Sequence, residues 1–163
     1  MIYFDLDGVI RDLSSMVYDK EPTNYFNKTR GGKSFPELID ENLGLLITAP
    51  PTDYFFHRNY EPKYILSHQP WRWRTNTDLW IKKFCGAAVV VQYVEKPEDK
   101  LGFLKNGDFL VEDYPFFVDY SRIILVRKPY NANVVNPLFE VWTWRELNET
   151  MRLLKTPKGG GAS

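Results

Sequence analysis

The sequence predicts an α/β fold, namely a Rossmann-like doubly wound parallel sheet. Three observations lead to this prediction: an apolar first strand ends in carboxylates, later strands are unbroken apolar runs, and helical segments separate them. Unbroken apolar runs are typical of strands that are covered on both faces, as in parallel sheets. Strands that alternate with helices form βαβ units, so we expect one layered domain.

The first strand is predicted over residues 2–6, and the chain that follows it is polar, aromatic and irregular. One helix is expected there, because Ser34-Phe35-Pro36-Glu37 combines an N-cap, an early proline and an acidic third position. Apolar residues recur at helical spacing until Thr48-Ala49-Pro50-Pro51 ends the helix. We interpret residues 13–60 as a small cap inserted after the first strand.

The rest of the chain alternates between strands and helices. Helices are predicted over 75–84 and from about 143 onwards, and strands over 63–67, 87–91, 109–111, 122–126 and 140–142. The run 87–91 is Ala-Ala-Val-Val-Val without polar alternation, which predicts a central strand. The domain is expected to cover residues 1–155. Residues 156–163, which end in Gly-Gly-Gly-Ala-Ser, are predicted to be a flexible tail.

Composition excludes several classes of protein. The 163 residues are 44% hydrophobic and 16% aromatic, which excludes a disordered chain. The 21 basic and 21 acidic residues balance, so no global field attracts nucleic acid or an anionic membrane, although a local basic patch stays possible. The lone Cys85 allows no intramolecular disulfide and is expected on the buried face of a helix. Without a signal peptide or membrane-spanning run, we expect a cytoplasmic protein with no membrane contact.

The most informative segment is Asp5-Leu6-Asp7-Gly8-Val9, directly after the first strand. Alternation along the strand points Asp5 and Asp7 the same way. Two carboxylates so close together repel each other unless a cation lies between them. The plainer alternative is an Asp-Gly turn that closes a hairpin. Ligands bind at this end of the strands in open α/β sheets, which favours the interpretation as a site.

Other polar residues lie where later strands end. Ser67 ends the second predicted strand, Glu112 and Asp113 follow a later one, and Lys100 lies just upstream of that strand. Parallel strands bring such residues to one edge of the sheet. Plainer interpretations are that Ser67 or Asp113 caps a helix, and that the lysine is a solvated charge. Lys105 is the rival of Lys100, and spacing favours Lys100.

With these motifs the chain resembles the haloacid dehalogenase-like (HAD) phosphohydrolases. Asp5-Leu6-Asp7-Gly8-Val9 matches the DxDGV motif, Ser67 the strand-ending hydroxyl, Lys100 the lysine of the third motif, and Glu112-Asp113 the acidic fourth motif. Within that superfamily the chain is similar to the 5'(3')-deoxyribonucleotidases and their short phage and bacterial relatives. The segments that carry this similarity are 107–115, 128–131 and 141–147.

The resemblance implies a Mg²⁺-dependent phosphomonoesterase that acts through an aspartyl-phosphate. Asp5 would be the nucleophile, and Asp7 the general acid and later the general base. Ser67 would donate a hydrogen bond to a phosphoryl oxygen, and Lys100 would supply a compensating cation.

The same resemblance implies that Mg²⁺ is held by Asp5, by the backbone carbonyl of Asp7 and by an acid of the fourth motif. The family has paired aspartates where this chain has Glu112-Asp113, so either Glu112 or Asp113 is the expected third ligand.

Substrate contacts are expected from Gly8, Asp12, His68 and Arg72. Asp12 could instead cap the segment that follows it, and His68, like His57, lacks a partner at metal-ligand spacing. Arg72 belongs to Trp71-Arg72-Trp73-Arg74, which alternates aromatic and basic residues as nucleic-acid grooves do. The alternative is a helix start with Trp packed inward and Arg outward.

The partner that the resemblance implies is a small phosphate monoester, namely a (deoxy)nucleoside monophosphate, and the sequence makes no prediction of oligomeric state. A short insertion would leave the site open, and aromatic residues of the insertion could stack on a base or form its own core (Tyr18, Tyr25, Phe26, Tyr54 and Phe55). One alternative is a phosphatase that acts on 5' or 3' phosphate ends of nucleic acid. A second alternative is a catalytically silent binding module with the same fold.

Overall fold

The structure is a computed structural model that describes residues 1–155, and it contains one six-stranded sheet. The predicted tail, residues 156–163, lies outside the described residues. The sheet order is β3-β2-β1-β4-β5-β6, and every neighbouring pair is parallel. The strands are β1 (Ile2–Phe4), β2 (Tyr64–His68), β3 (Val90–Val94), β4 (Phe109–Glu112), β5 (Ile123–Val126) and β6 (Phe139–Val141). The predicted α/β fold with a doubly wound parallel sheet is confirmed.

Seven α-helices are described in residues 1–155. Four short ones lie between β1 and β2, and three follow β2. In chain order they are α1 (Ser14–Val17), α2 (Phe35–Glu41), α3 (Leu45–Thr48), α4 (Asp53–Phe56), α5 (Trp71–Phe84), α6 (Asp99–Phe103) and α7 (Trp144–Lys155). A 3₁₀ turn covers Pro129–Asn131. None of the helices within the described range has the length and apolarity that crossing a bilayer requires.

Alternate side chains of the strands enter two apolar clusters, one on each face of the sheet. Phe4 packs in the first cluster and its neighbour Tyr3 in the second. Helices α5 and α7 contribute Trp80 and Met151 to the first cluster, whereas Leu104, directly after α6, belongs to the second. Because both faces are covered, the strands need no polar alternation, which is why the apolar runs predicted them.

The helix predicted from Ser34 begins as expected but is shorter than predicted. The Ser34 hydroxyl accepts a hydrogen bond from the Glu37 N–H, and the Glu37 carboxylate accepts one from the Ser34 N–H. The helix ends at Glu41 because Asn42 leaves the helical conformation, and its side-chain amide donates to the Leu38 carbonyl over 2.9 Å. The apolar residues near 45 therefore belong to a separate helix, α3.

Two smaller predictions are corrected. The Val-rich run was predicted to be a central strand, but β3 covers Val90–Val94 and lies at the edge of the sheet, with Val90 57% exposed. An apolar run shows that a strand is stable, but it does not say how many neighbours the strand has. Cys85 packs on the first cluster but is only partly buried, because it is the C-cap at the end of α5.

The aromatic residues of the insertion divide between several environments. Tyr18 stacks on Phe35, with ring centroids 6.2 Å apart, beside a small core of insertion residues that packs on Trp73 of α5. Tyr54 and Phe55 are buried in the main core beneath the sheet. The insertion is therefore anchored at two places, on helix α5 and in the first cluster beneath the sheet.

Candidate active site

The order of the strands in the sheet creates a topological switch point between β1 and β4. From β1 the chain moves outward to β2 and β3, then returns to pair β4 on the other side of β1 and continues to β6. Ligands of open α/β sheets bind beyond the carboxyl ends of the strands at such a point. Asp5 follows β1 directly, Glu112 ends β4 and Asp113 follows it.

Three carboxylates meet at this switch point. Asp5, Glu112 and Asp113 are all buried, and one carboxylate oxygen of each lies within 4.8 Å of those of the other two. Lys100, at the start of α6, reaches into the group: its Nζ lies 2.7 Å from Asp5 Oδ1 and 2.5 Å from Glu112 Oε2. We call Asp5, Lys100, Glu112 and Asp113 the acidic cluster. The rival Lys105 is exposed and makes no ion pair among the described residues.

Burial and mutual repulsion dominate the electrostatics of the acidic cluster. Burial, and after it the charge of Glu112, raises the pKa of Asp5 to about 8, although Lys100 opposes the shift. Burial, and then the charge of Asp5, raises the pKa of Asp113 to about 6. Burial opposes the charge on Lys100, but Asp5 and Glu112 outweigh burial and raise the Lys100 pKa above its ordinary value. One ammonium balances only one of three ionised carboxylates, so the acidic cluster takes up either protons or a further cation.

Glu112 and Asp113 differ in how many of their carboxylate oxygens already accept a hydrogen bond. Glu112 Oε2 contacts Lys100, and Glu112 Oε1 accepts the N–H groups of Asp113 and Tyr114 over 3.0 and 3.2 Å. Asp113 Oδ2 accepts the Tyr130 hydroxyl, whereas no described residue donates to Asp113 Oδ1. Asp113 is therefore better placed than Glu112 to bind a cation, and Glu112 is better placed to hold Lys100.

Gly8 brings the loop after β1 against Asp113. Its φ is +90°, in the region that favours glycine, and a Cβ added there would lie 2.0 Å from Asp113 Oδ2. The predicted substrate-contact residue Gly8 is thus a place where only a glycine allows the close approach.

The Asp7 carboxylate lies outside the three-carboxylate group and has its own partners. Arg11 Nε and Nη2 donate to Asp7 Oδ1 and Oδ2 over 2.6 and 3.0 Å, and Gln69 Nε2 donates to Oδ2 over 2.6 Å. The same Gln69 amide donates to the hydroxyl of the buried Ser67 over 3.2 Å. Asp7 and Ser67, predicted from separate motifs, are therefore bridged by one side chain.

The other predicted substrate contacts divide between this edge and more distant positions. His68 ends β2 and is partly buried; burial, and after it the charge of Lys100, lowers its pKa. Asp12 Oδ1 accepts the Ser15 N–H over 3.0 Å and so caps the first turn of α1, as the plainer interpretation had it. Arg72 forms two 2.7 Å contacts to Asp40 on α2, so the structure places it against the insertion and not in the acidic cluster.

The segment Trp71-Arg72-Trp73-Arg74 follows neither predicted pattern fully. Trp73 is buried and donates its indole N–H to Asp40, whereas Trp71 is 76% exposed. Arg74 pairs with Glu95 over 2.7 Å. Both arginines are thus paired with carboxylates, which offsets their charge.

The sequence did not indicate Arg11, Gln69 or Tyr130 as individual site residues, and it indicated Tyr25 as an aromatic residue that could stack on a base or belong to the core of the insertion. Arg11 stands four residues after Asp7, a spacing that brings opposite charges together in helical turns and that could have indicated the pair. Tyr25 packs its ring on Tyr130 at a centroid distance of 5.7 Å, and also on Tyr114 and Phe116. Burial, followed by the charges of Asp113, Glu112 and Asp5, raises the Tyr25 pKa, so this residue of the insertion adjoins the acidic cluster.

No protein-family model matches the sequence, and no curated protein matches it either. The resemblance to haloacid dehalogenase-like phosphohydrolases therefore rests on the motif residues, and the function has to be argued from the geometry of the site.

Proposed function

We propose that the protein is a Mg²⁺-dependent phosphomonoesterase that acts through an aspartyl-phosphate on Asp5. The observation that carries the proposal is the acidic cluster at the topological switch point, where a buried lysine bridges Asp5 and Glu112 beside Asp113. Structural ion pairs rarely bury three carboxylates around a single lysine, because the unbalanced charge costs free energy. A site that binds a cation and a phosphate accounts for that arrangement.

The donor set suits Mg²⁺. Asp5 Oδ2 and Asp113 Oδ1 accept no hydrogen bond from a described residue, and a hard divalent cation prefers such carboxylate oxygens. Asp5 and Asp113 would hold the ion, with the backbone carbonyl of Asp7 as the third protein ligand that the motif suggests. When bound, Mg²⁺ would offset the repulsion between Asp5 and a phosphate dianion.

The residues of the chain would divide the chemistry between two steps. In the first step an Asp5 carboxylate oxygen attacks phosphorus, the bond to the leaving oxygen breaks, and Asp7 gives that oxygen a proton. In the second step water attacks the aspartyl-phosphate, Asp7 takes the proton of the water, and phosphate leaves Asp5.

Lys100 and Ser67 would bind the transferred group. The Lys100 ammonium already contacts the Asp5 oxygen over 2.7 Å and would stay beside it as negative charge gathers on the phosphoryl oxygens. Ser67 accepts from Gln69, which leaves its own O–H free to donate to a phosphoryl oxygen.

A free nucleoside monophosphate is the substrate that the surroundings favour. Phe26 and Phe116, which are 75% and 48% exposed, stack beside Tyr25 with ring centroids 5.6 Å apart, and a base could stack on this aromatic surface. A nucleic-acid end would need positive charge nearby, but Arg72 and Arg74 are paired with acids. A small soluble substrate also agrees with the cytoplasmic location expected from the sequence.

The test is phosphate release, with Mg²⁺ and with EDTA, from nucleoside monophosphates, sugar phosphates and 5'- or 3'-phosphorylated oligonucleotides. We expect Mg²⁺-dependent turnover of mononucleotides that Asp5→Asn abolishes, whereas Asp19→Asn, an exposed control, retains it. Preference for oligonucleotides would support the end-processing enzyme instead. Mg²⁺-dependent binding without turnover would support the silent binding module.

A further inference from the structure

We infer that Gln69 is a positioning residue: it holds the proton-transfer group Asp7 at a fixed distance from the phosphate-binding hydroxyl of Ser67. The inference rests on the proposed function, because it assigns a role within that reaction. Its basis is a hydrogen-bond network in which Arg11, Gln69 and Thr77, residues outside the motifs, connect Asp7 with Ser67.

Arg11 forms the base of the network. Its side chain is fully buried and donates hydrogen bonds to both Asp7 carboxylate oxygens. In addition, its Nη1 donates to the Leu46 carbonyl over 2.9 Å and to the Thr77 hydroxyl over 3.3 Å. A buried guanidinium with four such contacts has one orientation, because any rotation would leave a donor unsatisfied. The Asp7 side chain itself is 23% exposed, so its support is buried while the carboxylate faces outward.

Thr77 fixes which way the Gln69 amide points. The Thr77 hydroxyl donates to Gln69 Oε1 over 3.2 Å, so the amide nitrogen is turned toward Asp7 and Ser67. Gln69 therefore acts as a donor to both residues, and a reversed amide would place its oxygen against the Asp7 carboxylate.

The network leaves one Asp7 oxygen less occupied than the other. Oδ2 accepts from Arg11 and Gln69, whereas Oδ1 accepts from Arg11 alone among the described residues. Oδ1 therefore has the open lone pair, and we assign the proton exchanged with the leaving oxygen to Oδ1.

The amide also sets a distance that the reaction depends on. Ser67 would bind one oxygen of the phosphoryl group, and Asp7 would protonate the leaving oxygen on the same phosphorus. Because one Gln69 nitrogen contacts both groups, it fixes their separation, and an error of an ångström in such geometry can cost about 100-fold in rate.

The test is how the rate loss depends on the leaving group. Gln69→Met removes the donor but keeps the length of the side chain. For an alkyl ester, whose leaving alcohol needs a proton, we expect kcat/KM to fall roughly 30- to 100-fold. For p-nitrophenyl phosphate, whose leaving group departs as an anion, we expect a loss at least about 10-fold smaller. Asp7→Asn should show the same signature.

Gln92→Met is the matched control, because Gln92 is exposed on β3 and, among the described residues, its side-chain amide donates to the Tyr93 carbonyl alone. If Gln69→Met does not fold, Thr77→Val tests the same amide orientation, because it removes the donor to Gln69 Oε1. Arg11 Nη1 loses one acceptor in this variant but keeps the Leu46 carbonyl, so its bonds to Asp7 should remain. Equal losses on both esters, or no loss, would overturn the positioning role and leave the proposed function standing. No turnover of nucleoside monophosphates or of either ester by the unaltered protein would refute the proposed function, and this role with it.

Discussion

Gly8 and Asp113 approach each other so closely that a Cβ on residue 8 would lie 2.0 Å from the Asp113 carboxylate. The loop after β1 is thus packed directly against the end of β4. The backbone at Gly8, in the first motif, therefore helps to position the carboxylate of Asp113, in the fourth motif. The positive φ of Gly8 adds a second reason for glycine at this place.

Gly8→Ala should therefore abolish most activity, because the added methyl group displaces the Asp113 carboxylate. Gly107→Ala is the control: Gly107 also has a positive φ, of +83°, but an added Cβ would meet nothing within 4 Å. Both variants should lose about 1–2 kcal/mol of stability from backbone strain, measured by urea unfolding. Only Gly8→Ala should lose phosphate release, and equal activity in the two variants would contradict the steric argument.

Lys100→Met should lower turnover by at least about 100-fold, because it removes the cation that Asp5 and Glu112 share. It should also destabilise the protein more near pH 8 than near pH 5, because at the lower pH the two carboxylates can take up protons instead. Turnover and thermal melting at both pH values are the measurements. Lys105→Met, on the exposed rival, should leave turnover unchanged, and the reverse result would assign the third motif to Lys105.

The metal-free protein should lose stability as the pH rises from about 4 to about 8. In that window Asp5 and Asp113, with pKa values raised to about 8 and about 6, hold protons in the folded state that the unfolded chain releases near its ordinary pKa of about 4. The free energy of unfolding therefore falls as the pH rises through this window. A bound cation replaces the protons, so millimolar Mg²⁺ should raise Tm more at pH 8 than at pH 5.

The thermal-shift experiment has a clear control. Asp113→Asn should remove most of the gain from Mg²⁺, whereas Asp119→Asn, on an exposed loop, should keep it. A gain that is equal at both pH values would mean that Mg²⁺ binds away from the acidic cluster.

Tyr130→Phe should weaken Mg²⁺ binding and activity roughly 10-fold, because the hydroxyl donates to Asp113 and such supporting partners orient a metal ligand. Tyr120→Phe is the matched control: its hydroxyl donates to the Tyr114 carbonyl over 2.9 Å and, among the described residues, to none of the carboxylates. Both should lose about 1 kcal/mol of stability or somewhat more. Isothermal titration with Mg²⁺ separates them, and equal affinities would remove Tyr130 from the site.

Site residues could be predicted from the sequence where a chemically reactive side chain directly follows a predicted strand. Asp5 and Glu112-Asp113 could be placed together because parallel strands align their carboxyl ends, whatever lies between them in sequence. Gln69 could not be assigned to Asp7, because 62 residues separate them and an amide has no periodic signature. Only the fold pairs them.

The errors in the fold have a similar cause. Hydrophobic residues indicate that a segment is a strand, but they do not say where the strand lies in the sheet, and β3 is an edge strand among the described residues. The helix after Ser34 was predicted too long because Leu43 and Leu46 continue the helical spacing across Asn42, whose side chain ends the helix. Spacing alone does not reveal such a local side-chain contact.

The bond from Arg11 to the Leu46 carbonyl limits how this chain can be recombined with others. The two residues are 35 positions apart, and Leu46 belongs to the insertion while Arg11 supports Asp7. A chimera that exchanges residues 13–60 for a different insertion would have to offer a carbonyl oxygen at the same place. Otherwise the buried guanidinium of Arg11 loses an acceptor, and the position of Asp7, the proton donor, would change even though every motif residue has been kept.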